Sequence, residues 1–203
     1  MSRSGIRILF AGIGATIIAF TSTTAFAGAN SMNTGRVTTR PIGHHQLCER
    51  LPVECRQKSS SREPVVLTRK LWARMIQINN SYNRAVAPRT DLEMWGRPEY
   101  WSYPSYQGDC EDYVLAKRRA LMDEGVPAGS LLITVVRQPN GDGHAVLTVR
   151  TDLGDYILDN LEPRILAWND TEYRYLKRQS TRNSGTWVKI KDGRQIFVGS
   201  VNK

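Results

Sequence analysis

Two stretches of the chain repeat apolar residues every three or four positions, the spacing of an amphipathic helix. The first runs from Thr68 to Tyr82 and has Leu71, Met75, Ile78 and Tyr82 on one face. The second begins at Asp109, a residue type favoured at helix N-caps, and is followed by Gly125 and Pro127, which are typical of helix ends. Its apolar positions are Val114, Leu115, Leu121 and Met122, with Cys110 at the N-terminal edge. The pattern predicts two helices, each buried along one face.

After the second helix the pattern changes to short apolar runs bounded by turn residues, which is typical of strands. Three runs follow one another at residues 130–137, 145–150 and 156–159 and predict successive antiparallel strands. Two more predicted strands, 187–190 and 195–198, alternate apolar and polar residues near the C-terminus. Helices followed by an antiparallel sheet indicate the α+β class.

The N-terminus has the form of an export signal. Two arginines precede a short apolar run from Ile8 to Phe20, and Ala25-Phe26-Ala27 has the small-x-small form of a cleavage site. The run is too short for a membrane span, so we expect residues 1–27 to be a cleaved signal peptide, with no stable membrane insertion afterwards. Residues 28–43 are small and polar and predict a flexible lead-in, and 44–203 predict a single domain.

Cysteine spacing fits an exported protein. Cys48 and Cys55 flank a short loop, and in an oxidising compartment they are expected to form a disulfide. The alternative is a metal site in which these cysteines combine with His44 and His45, although the spacing fits no zinc pattern well. Pairing of the first two cysteines leaves Cys110 as the single free thiol.

Cys110 is a candidate nucleophile because of its place at the start of a helix. The helix dipole and the free backbone N–H groups there favour the thiolate. His144 precedes the second predicted strand and Asp159 closes the third. An even number of residues in the turn after Thr151 places these two side chains diagonally on one face of the sheet, whereas an odd number places them on opposite faces.

These three residues contain the parts of a nucleophilic triad: Cys110 as nucleophile, His144 as base and Asp159 as the carboxylate that orients the imidazole. Each has an ordinary alternative, which is a core thiol, a loop histidine and a turn-capping aspartate. The other two histidines lie in the N-terminal part of the chain, so His144 is the most plausible partner for the thiol.

Charge and composition limit the classes of partner. The chain has 28 basic and 19 acidic residues, which suits an acidic partner or an anionic cell envelope, or else reflects a solvated basic surface. It has no Gly-rich phosphate loop and no nucleic-acid motif, so no nucleic-acid partner is expected. Aromatic residues crowd positions 95–106 and either line a groove or cover the core.

Several spaced motifs resemble one known family, the bacterial transglutaminase-like cysteine peptidases, whose best-understood branch is the LapG-type periplasmic proteases. The motifs are Gly108-Asp109-Cys110-Glu111-Asp112-Tyr113, Gly143-His144-Ala145-Val146-Leu147, Leu158-Asp159-Asn160, Thr90-Asp91-Leu92, Trp95-Gly96, Tyr100-Trp101, Arg178-Gln179-Ser180 and Trp187-Val188. They occur in the family's order over roughly residues 44–200.

The resemblance implies a papain-like, transglutaminase-core fold in which a helix bearing Cys110 packs on an antiparallel sheet bearing His144 and Asp159. These three residues match the family's catalytic triad. LapG-type proteases are calcium-dependent periplasmic endopeptidases that release large surface adhesins, so the resemblance implies a protein substrate, with a cell-surface adhesin as the specific expectation, and a periplasmic location.

Calcium is the one cofactor expected. Carboxylates beside the thiol oppose thiolate formation, and a hard cation bound to their oxygens offsets that repulsion. By resemblance the ligands are Asp109 and Glu111, with Asp112 as a third. The alternative is that Asp109 caps the helix and the other two are ordinary first-turn acids.

The expected function is therefore a periplasmic cysteine endopeptidase. One alternative is a transglutaminase-type acyltransferase, because an amine can replace water at the thioester. A second is a non-catalytic, calcium-responsive binding protein of the same fold. The sequence identifies neither the substrate, nor a regulator, nor the oligomeric state.

Overall fold

The computed structural model describes residues 31–59 and 62–194. The predicted signal peptide, residues 1–27, and the strand predicted at 195–198 lie outside the described residues. None of the described helices combines the length and the apolar character that a membrane crossing requires.

A seven-stranded antiparallel sheet forms the centre of the fold. Its strands are β1 Thr34–Thr38, β4 Leu131–Arg137, β5 Gly143–Thr151, β6 Gly154–Leu158, β7 Leu166–Ala167, β8 Arg174–Gln179 and β9 Trp187–Ile190, numbered with a separate parallel pair, β2 Ala87–Pro88 and β3 Gln107–Gly108. The order across the sheet is β1-β9-β8-β4-β5-β6-β7. Strands β4, β5 and β6 are the three predicted antiparallel strands, and β9 is the predicted strand at 187–190, so these predictions are confirmed.

The described part of the chain has five α-helices: α1 Ile42–Arg50, α2 Pro52–Arg56, α3 Arg69–Ala85, α4 Asp91–Trp95 and α5 Cys110–Asp123. Helices α3 and α5 are the two predicted amphipathic helices, and each extends to within three residues of its predicted end. Helix α5 packs directly on β4 and β5, and α3 packs on α5. This arrangement confirms the α+β class and the placement of a cysteine-bearing helix on an antiparallel sheet.

The core has one layer on each face of the sheet. The larger layer lies between the helices and the sheet, where Val114, Leu115 and Leu121 of α5 meet strand residues such as Ile133 and Leu147. The smaller layer covers the opposite face and contains Met32, Val136, Val146, Ile157, Trp168, Tyr175 and Ile190. Because both faces of the central strands are covered, they appear in the sequence as nearly continuous apolar runs.

Part of the predicted lead-in, 28–43, is ordered. Its residues 34–38 form β1, which pairs with β9 at the edge of the sheet, and α1 begins at Ile42. Two of the five residues of β1 are threonines, and it carries no long apolar pattern that periodicity would detect. The pairing with β9 is a contact between distant parts of the chain, which local patterning does not predict.

Candidate active site

Cys110 is the first residue of α5, as predicted. Gly108, two residues earlier, lies close to the first turn of this helix, since a Cβ at this glycine would lie 2.8 Å from the Cβ of Asp112. Asp109 occupies the N-cap position, but its side chain makes no capping hydrogen bond. The carboxylate of Asp109 is therefore left for other contacts.

The thiol of Cys110 is half-buried and donates a hydrogen bond to Oε2 of Glu111 over 2.9 Å. Burial raises the pKa of the Cys110 thiol well above its usual value, and the carboxylate of Glu111 raises it further. The direction agrees with the repulsion expected from flanking acids and opposes the effect of the helix dipole. The structure therefore favours the protonated thiol in this arrangement.

His144 and Asp159 meet as the even turn requires. Thr151 pairs with Gly154 across a two-residue turn, which sets the register of β5 and β6. The Nε2 atom of His144 lies 2.8 Å from Oδ1 of Asp159, and both side chains are buried. Since the carboxylate oxygen can only accept while it is ionised, the contact assigns the proton to Nε2 and leaves Nδ1 as the free base.

Asp159 is held by three further hydrogen bonds. The backbone N–H of Leu161 donates to Oδ1 over 3.0 Å, and the hydroxyl of Tyr173 donates to Oδ2 over 2.6 Å. Asn83 of α3 donates through Nδ2 to the backbone oxygen of Asp159 over 2.8 Å. Although burial raises the pKa of Asp159, the hydrogen bonds from His144 and Tyr173 hold it below its usual value, so the carboxylate stays ionised.

The structure brings the thiol to the start of β5, beside the histidine. The backbone amide of Ala145, the residue after His144, is close enough to the sulfur of Cys110 to oppose part of the rise in the thiol's pKa. Within the described residues the thiol donates to Glu111, and no hydrogen bond joins it to His144. His144 and Asp159 are thus paired on the sheet against which the helix of Cys110 packs, and the thiol is directed to Glu111.

Three carboxylates gather beside the thiol. Asp91, Asp109 and Glu111 each offer an oxygen, and these oxygens lie within 4.8 Å of one another. Asp91 is the first residue of α4, and the parallel pairing of β2 with β3 brings this helix to the start of α5. Burial raises the pKa of Asp109 to about 6, and the charge of Asp91 adds to the effect. Such a cluster is costly without a cation.

The donor set fits a hard divalent cation. Buried Oδ1 atoms of Asp91 and of Asp109 have no hydrogen-bond partner among residues 31–59 and 62–194. Calcium is bound by about six to eight oxygens, many of them carboxylate, so these two orphaned atoms and Glu111 supply part of a suitable shell.

Asp112, the third predicted ligand, is not grouped with these acids. Its Oδ1 accepts the backbone N–H of Ser102 over 2.7 Å. Burial raises the pKa of Asp112 to about 7. Its side chain instead ties the loop before α5 to the helix, and Asp91 takes the third position in the acid cluster.

Cys48 and Cys55 form a disulfide, with their Cα atoms 5.5 Å apart. His44 is buried beside it, and its Nδ1 accepts the indole N–H of Trp187 over 3.2 Å. Burial lowers the pKa of His44 to about 3, so the ring is neutral. His45 is half-exposed beside Glu49, so the two histidines do not converge and the predicted alternative of a four-ligand metal site is not formed.

The aromatic residues before α5 differ in burial, and the buried Trp101 serves the predicted use as core cover. Trp101 is buried in the core, in edge contact with His44 and Trp187. Trp95 and Tyr106 are exposed, with relative exposures of 51% and 68%. Trp95 is the last residue of α4, and Tyr106 directly precedes β3. Both residues therefore lie on segments that approach the start of α5.

Asp91 and Tyr173 are the two site residues that sequence reasoning missed. Asp91 lies inside a capping box, in which Thr90 and Glu93 satisfy each other's backbone N–H groups, and this pattern predicts a helix start but no ligand. Tyr173 lies in a loop beside β8, 14 residues after Asp159. Only its contact with Asp159 in the folded protein identifies it.

Comparison with known proteins agrees with this geometry. The model of the bacterial transglutaminase-like cysteine proteinase family (BTLCP) matches residues 34–195. Among solved structures, calcium-bound LapG from Legionella pneumophila is similar, with a TM-score of 0.51 and 25% identity over 58% of this chain and 68% of that one. The EGTA-treated form of the same protein gives a TM-score of 0.50 and 26% identity over 58% and 67%. No curated protein sequence matches the chain significantly.

The family match spans most of the described residues and includes the helix bearing Cys110 and the strands bearing His144 and Asp159. The neighbouring fold agrees with the papain-like, transglutaminase-core arrangement expected from the motifs. The chain belongs to the bacterial transglutaminase-like cysteine proteinases and is a cysteine peptidase.

Proposed function

We propose that the protein is an exported, periplasmic cysteine endopeptidase that uses Cys110, His144 and Asp159 as its triad. The observation that carries this proposal is the buried contact between Nε2 of His144 and Asp159, which leaves Nδ1 free at the start of β5, the strand on which the helix bearing Cys110 packs. A histidine oriented in this way is a general base for a neighbouring nucleophile.

The reaction follows from these groups. Nδ1 of His144 takes the thiol proton, and the sulfur of Cys110 attacks the carbonyl carbon of the scissile peptide bond. The backbone N–H of Cys110 at the helix start is placed to donate to the oxyanion. His144 then gives its proton to the leaving amine as the C–N bond breaks. Water, deprotonated by the same imidazole, hydrolyses the thioester and restores the thiol.

We propose that calcium regulates this site through Asp91, Asp109 and Glu111. Bound calcium supplies positive charge that offsets the mutual repulsion of the three carboxylates. In the structure Glu111 accepts the thiol proton in a hydrogen bond, so engagement of its oxygens elsewhere frees Cys110 to turn toward His144. Similarity to a calcium-bound LapG supports the assignment.

Calorimetric titration with calcium alone tests this assignment. Asp91→Asn is expected to weaken calcium binding at least about tenfold. Asp123→Asn, at the other end of α5, is the matched control and should bind like the wild type. Equal calcium affinity in the wild type and Asp91→Asn, or no binding by the wild type, contradicts the proposed site.

The proposed substrate is a protein of the cell surface, with an adhesin as the specific candidate. This proposal rests on the resemblance to LapG-type proteases. The test is to incubate the mature protein with a surface-protein extract in calcium and to map new N-termini by mass spectrometry. New N-termini should appear with the wild type and be absent with Cys110→Ala. Full cleavage by Cys110→Ala contradicts the proposed nucleophile.

The same experiment separates hydrolysis from acyl transfer. A tagged primary amine is added to the extract, and products are weighed. Fragments with free carboxyl ends support the peptidase, whereas adducts of higher mass support the acyltransferase. His144→Ala should abolish either product, and His45→Ala, at an exposed histidine outside the site, should not.

A further inference from the structure

Tyr173 contacts both members of the His144–Asp159 pair. Its hydroxyl donates to Oδ2 of Asp159 over 2.6 Å, and its ring centroid lies 5.5 Å from that of His144 at an interplanar angle of 57°. It is half-buried and lies in the connection just before β8. It is the one described side chain that hydrogen-bonds to the oxygen of Asp159 facing away from the histidine.

The two carboxylate oxygens of Asp159 accept hydrogen bonds from different donors. Oδ1 accepts from Nε2 of His144 and from the backbone N–H of Leu161, whereas Oδ2 accepts from Tyr173. The terminal torsion of an aspartate is broad and roughly two-fold, so a carboxylate held at one oxygen can turn. A buried oxygen without a donor is also costly. The hydrogen bond from the hydroxyl of Tyr173 restrains rotation of the carboxylate and gives Oδ2 a donor.

We propose that Tyr173 is a positioning residue, whose hydroxyl fixes the Asp159 carboxylate so that Oδ1 holds His144 in the Nε2–H tautomer and Nδ1 faces the thiol side. The proposal rests on the proposed function of the Cys110, His144 and Asp159 site. Without this constraint the imidazole is free to take the other tautomer, which carries its proton on the nitrogen needed as base.

The hydroxyl is a reliable donor in this environment. Burial raises the pKa of Tyr173, and the adjacent Asp159 raises it further, so the phenol keeps its proton at ordinary pH. The other titratable groups that act on this pair are Lys117 from α5, Tyr175 from β8 and Glu162 from the loop after β6. Within the described residues, Tyr173 hydrogen-bonds to Asp159 and these three other groups do not.

Tyr173→Phe isolates the hydroxyl because it keeps the ring. Tyr175→Phe is the matched control: it removes a hydroxyl two residues away that hydrogen-bonds with Thr171 over 3.0 Å and, within the described residues, makes no hydrogen bond to His144 or Asp159. Thermal unfolding is measured for both variants to confirm that they fold. Nitrogen-15 NMR of the His144 ring then reports the tautomer directly.

The wild type and Tyr175→Phe are expected to show a single Nε2–H tautomer, and Tyr173→Phe a mixture of both. On a cleaved substrate, kcat of Tyr173→Phe should fall about tenfold with KM within about twofold, since general-base alignment and not binding is lost. Incorporation of 3-fluorotyrosine at position 173, which keeps the hydroxyl, should restore the single tautomer.

A single Nε2–H tautomer in Tyr173→Phe overturns the proposal, as does an equal change in Tyr175→Phe. The NMR readout is independent of peptidase activity. A wild type that shows the Nε2–H tautomer but cleaves nothing therefore refutes the proposed function while leaving the effect of Tyr173 on His144 measurable.

Discussion

Replacement of Lys117 by methionine is expected to stabilise the protein, and the gain should depend on pH. Lys117 lies on α5 with no exposed surface, and its Nζ has no hydrogen-bond partner among the described residues. Its amine lies 5.5 Å from the ring centroid of Tyr113. Methionine is unbranched, similar in length and apolar, so Lys117→Met keeps the packing and removes the buried amine.

The magnitude follows from the pKa of the amine. Burial lowers the pKa of Lys117 from 10.5 to about 7, and the charge of Asp159 opposes this only in part. Between these two pH values the unfolded chain binds a proton that the folded protein does not, so the stability of the wild type rises with pH. At about 1.4 kcal/mol per pKa unit, the buried amine costs about 5 kcal/mol at pH 6 and about 2 kcal/mol at pH 9.

The assay is urea unfolding followed by tryptophan fluorescence across this pH range. Lys117→Met should exceed the wild type in free energy of unfolding by about 5 kcal/mol at pH 6, and the difference should narrow as the pH rises. Lys70→Met, at an exposed lysine on α3, is the control and should show a small difference independent of pH. A Lys117→Met variant no more stable than the wild type, or a gain that does not narrow with pH, refutes this reasoning.

Three further substitutions test the site and its support. Gly108→Ala places a methyl group 2.8 Å from the Cβ of Asp112 and should lower the free energy of unfolding by about 1–3 kcal/mol, measured by urea unfolding. Glu54→Gln removes the charge that faces the buried guanidinium of Arg118, 3.6 Å away, and should cost about 3–5 kcal/mol in the same assay. Asp159→Asn should keep the fold by circular dichroism and lower kcat by about 10²–10⁴-fold, since the neutral amide does not hold the imidazole tautomer. An unchanged free energy of unfolding in Gly108→Ala or Glu54→Gln, or an unchanged kcat in Asp159→Asn, would contradict the corresponding expectation.

The parts of the fold predicted correctly are those that local pattern determines. The start of α5 at Cys110 follows from the residues around it, and the strands β4 to β6 are short apolar runs separated by clear turns. The pairing of His144 with Asp159 was reduced to one question, whether the turn after Thr151 is even or odd. The number of residues in a turn is a local property, so the sequence limited the relative placement of His144 and Asp159 to two alternatives.

Strand β8 was missed because its residues are mostly polar. Its inward positions are satisfied by partners far away in the chain: Arg178 donates to Asp155 over 2.8 Å, and Gln179 accepts the backbone N–H of Ile133 over 3.0 Å. Polar residues that are buried with specific partners have the same sequence pattern as a solvated loop. The partner is needed to tell the two apart.

Charged residues on α5 show the same limit. Basic residues on a helix are usually exposed, yet Lys117 and Arg118 are both buried. Arg118 donates to the backbone oxygen of Leu131 and faces Glu54 of α2. Helix α2 is five residues long, and its position depends on packing beyond its own sequence.

Two of the three residues of the acid cluster were among the expected calcium ligands, and the third was not. The resemblance pointed to Asp109 and Glu111, which flank the cysteine, and also to Asp112, whose side chain instead accepts the backbone N–H of Ser102. Asp91 reaches the cluster through the pairing of β2 with β3. A contact made by tertiary structure has no marker in local spacing.

The most direct test of the central claim is the rate at which iodoacetamide labels Cys110 in calcium, measured against pH in the wild type, in His144→Ala and in the control His45→Ala. Mass spectrometry identifies the labelled residue. Fast labelling of Cys110 well below the ordinary thiol pKa of about 8.5 is expected in the wild type and in His45→Ala, and its loss is expected in His144→Ala. Slow labelling of the same rate in all three proteins would contradict a thiol activated by His144.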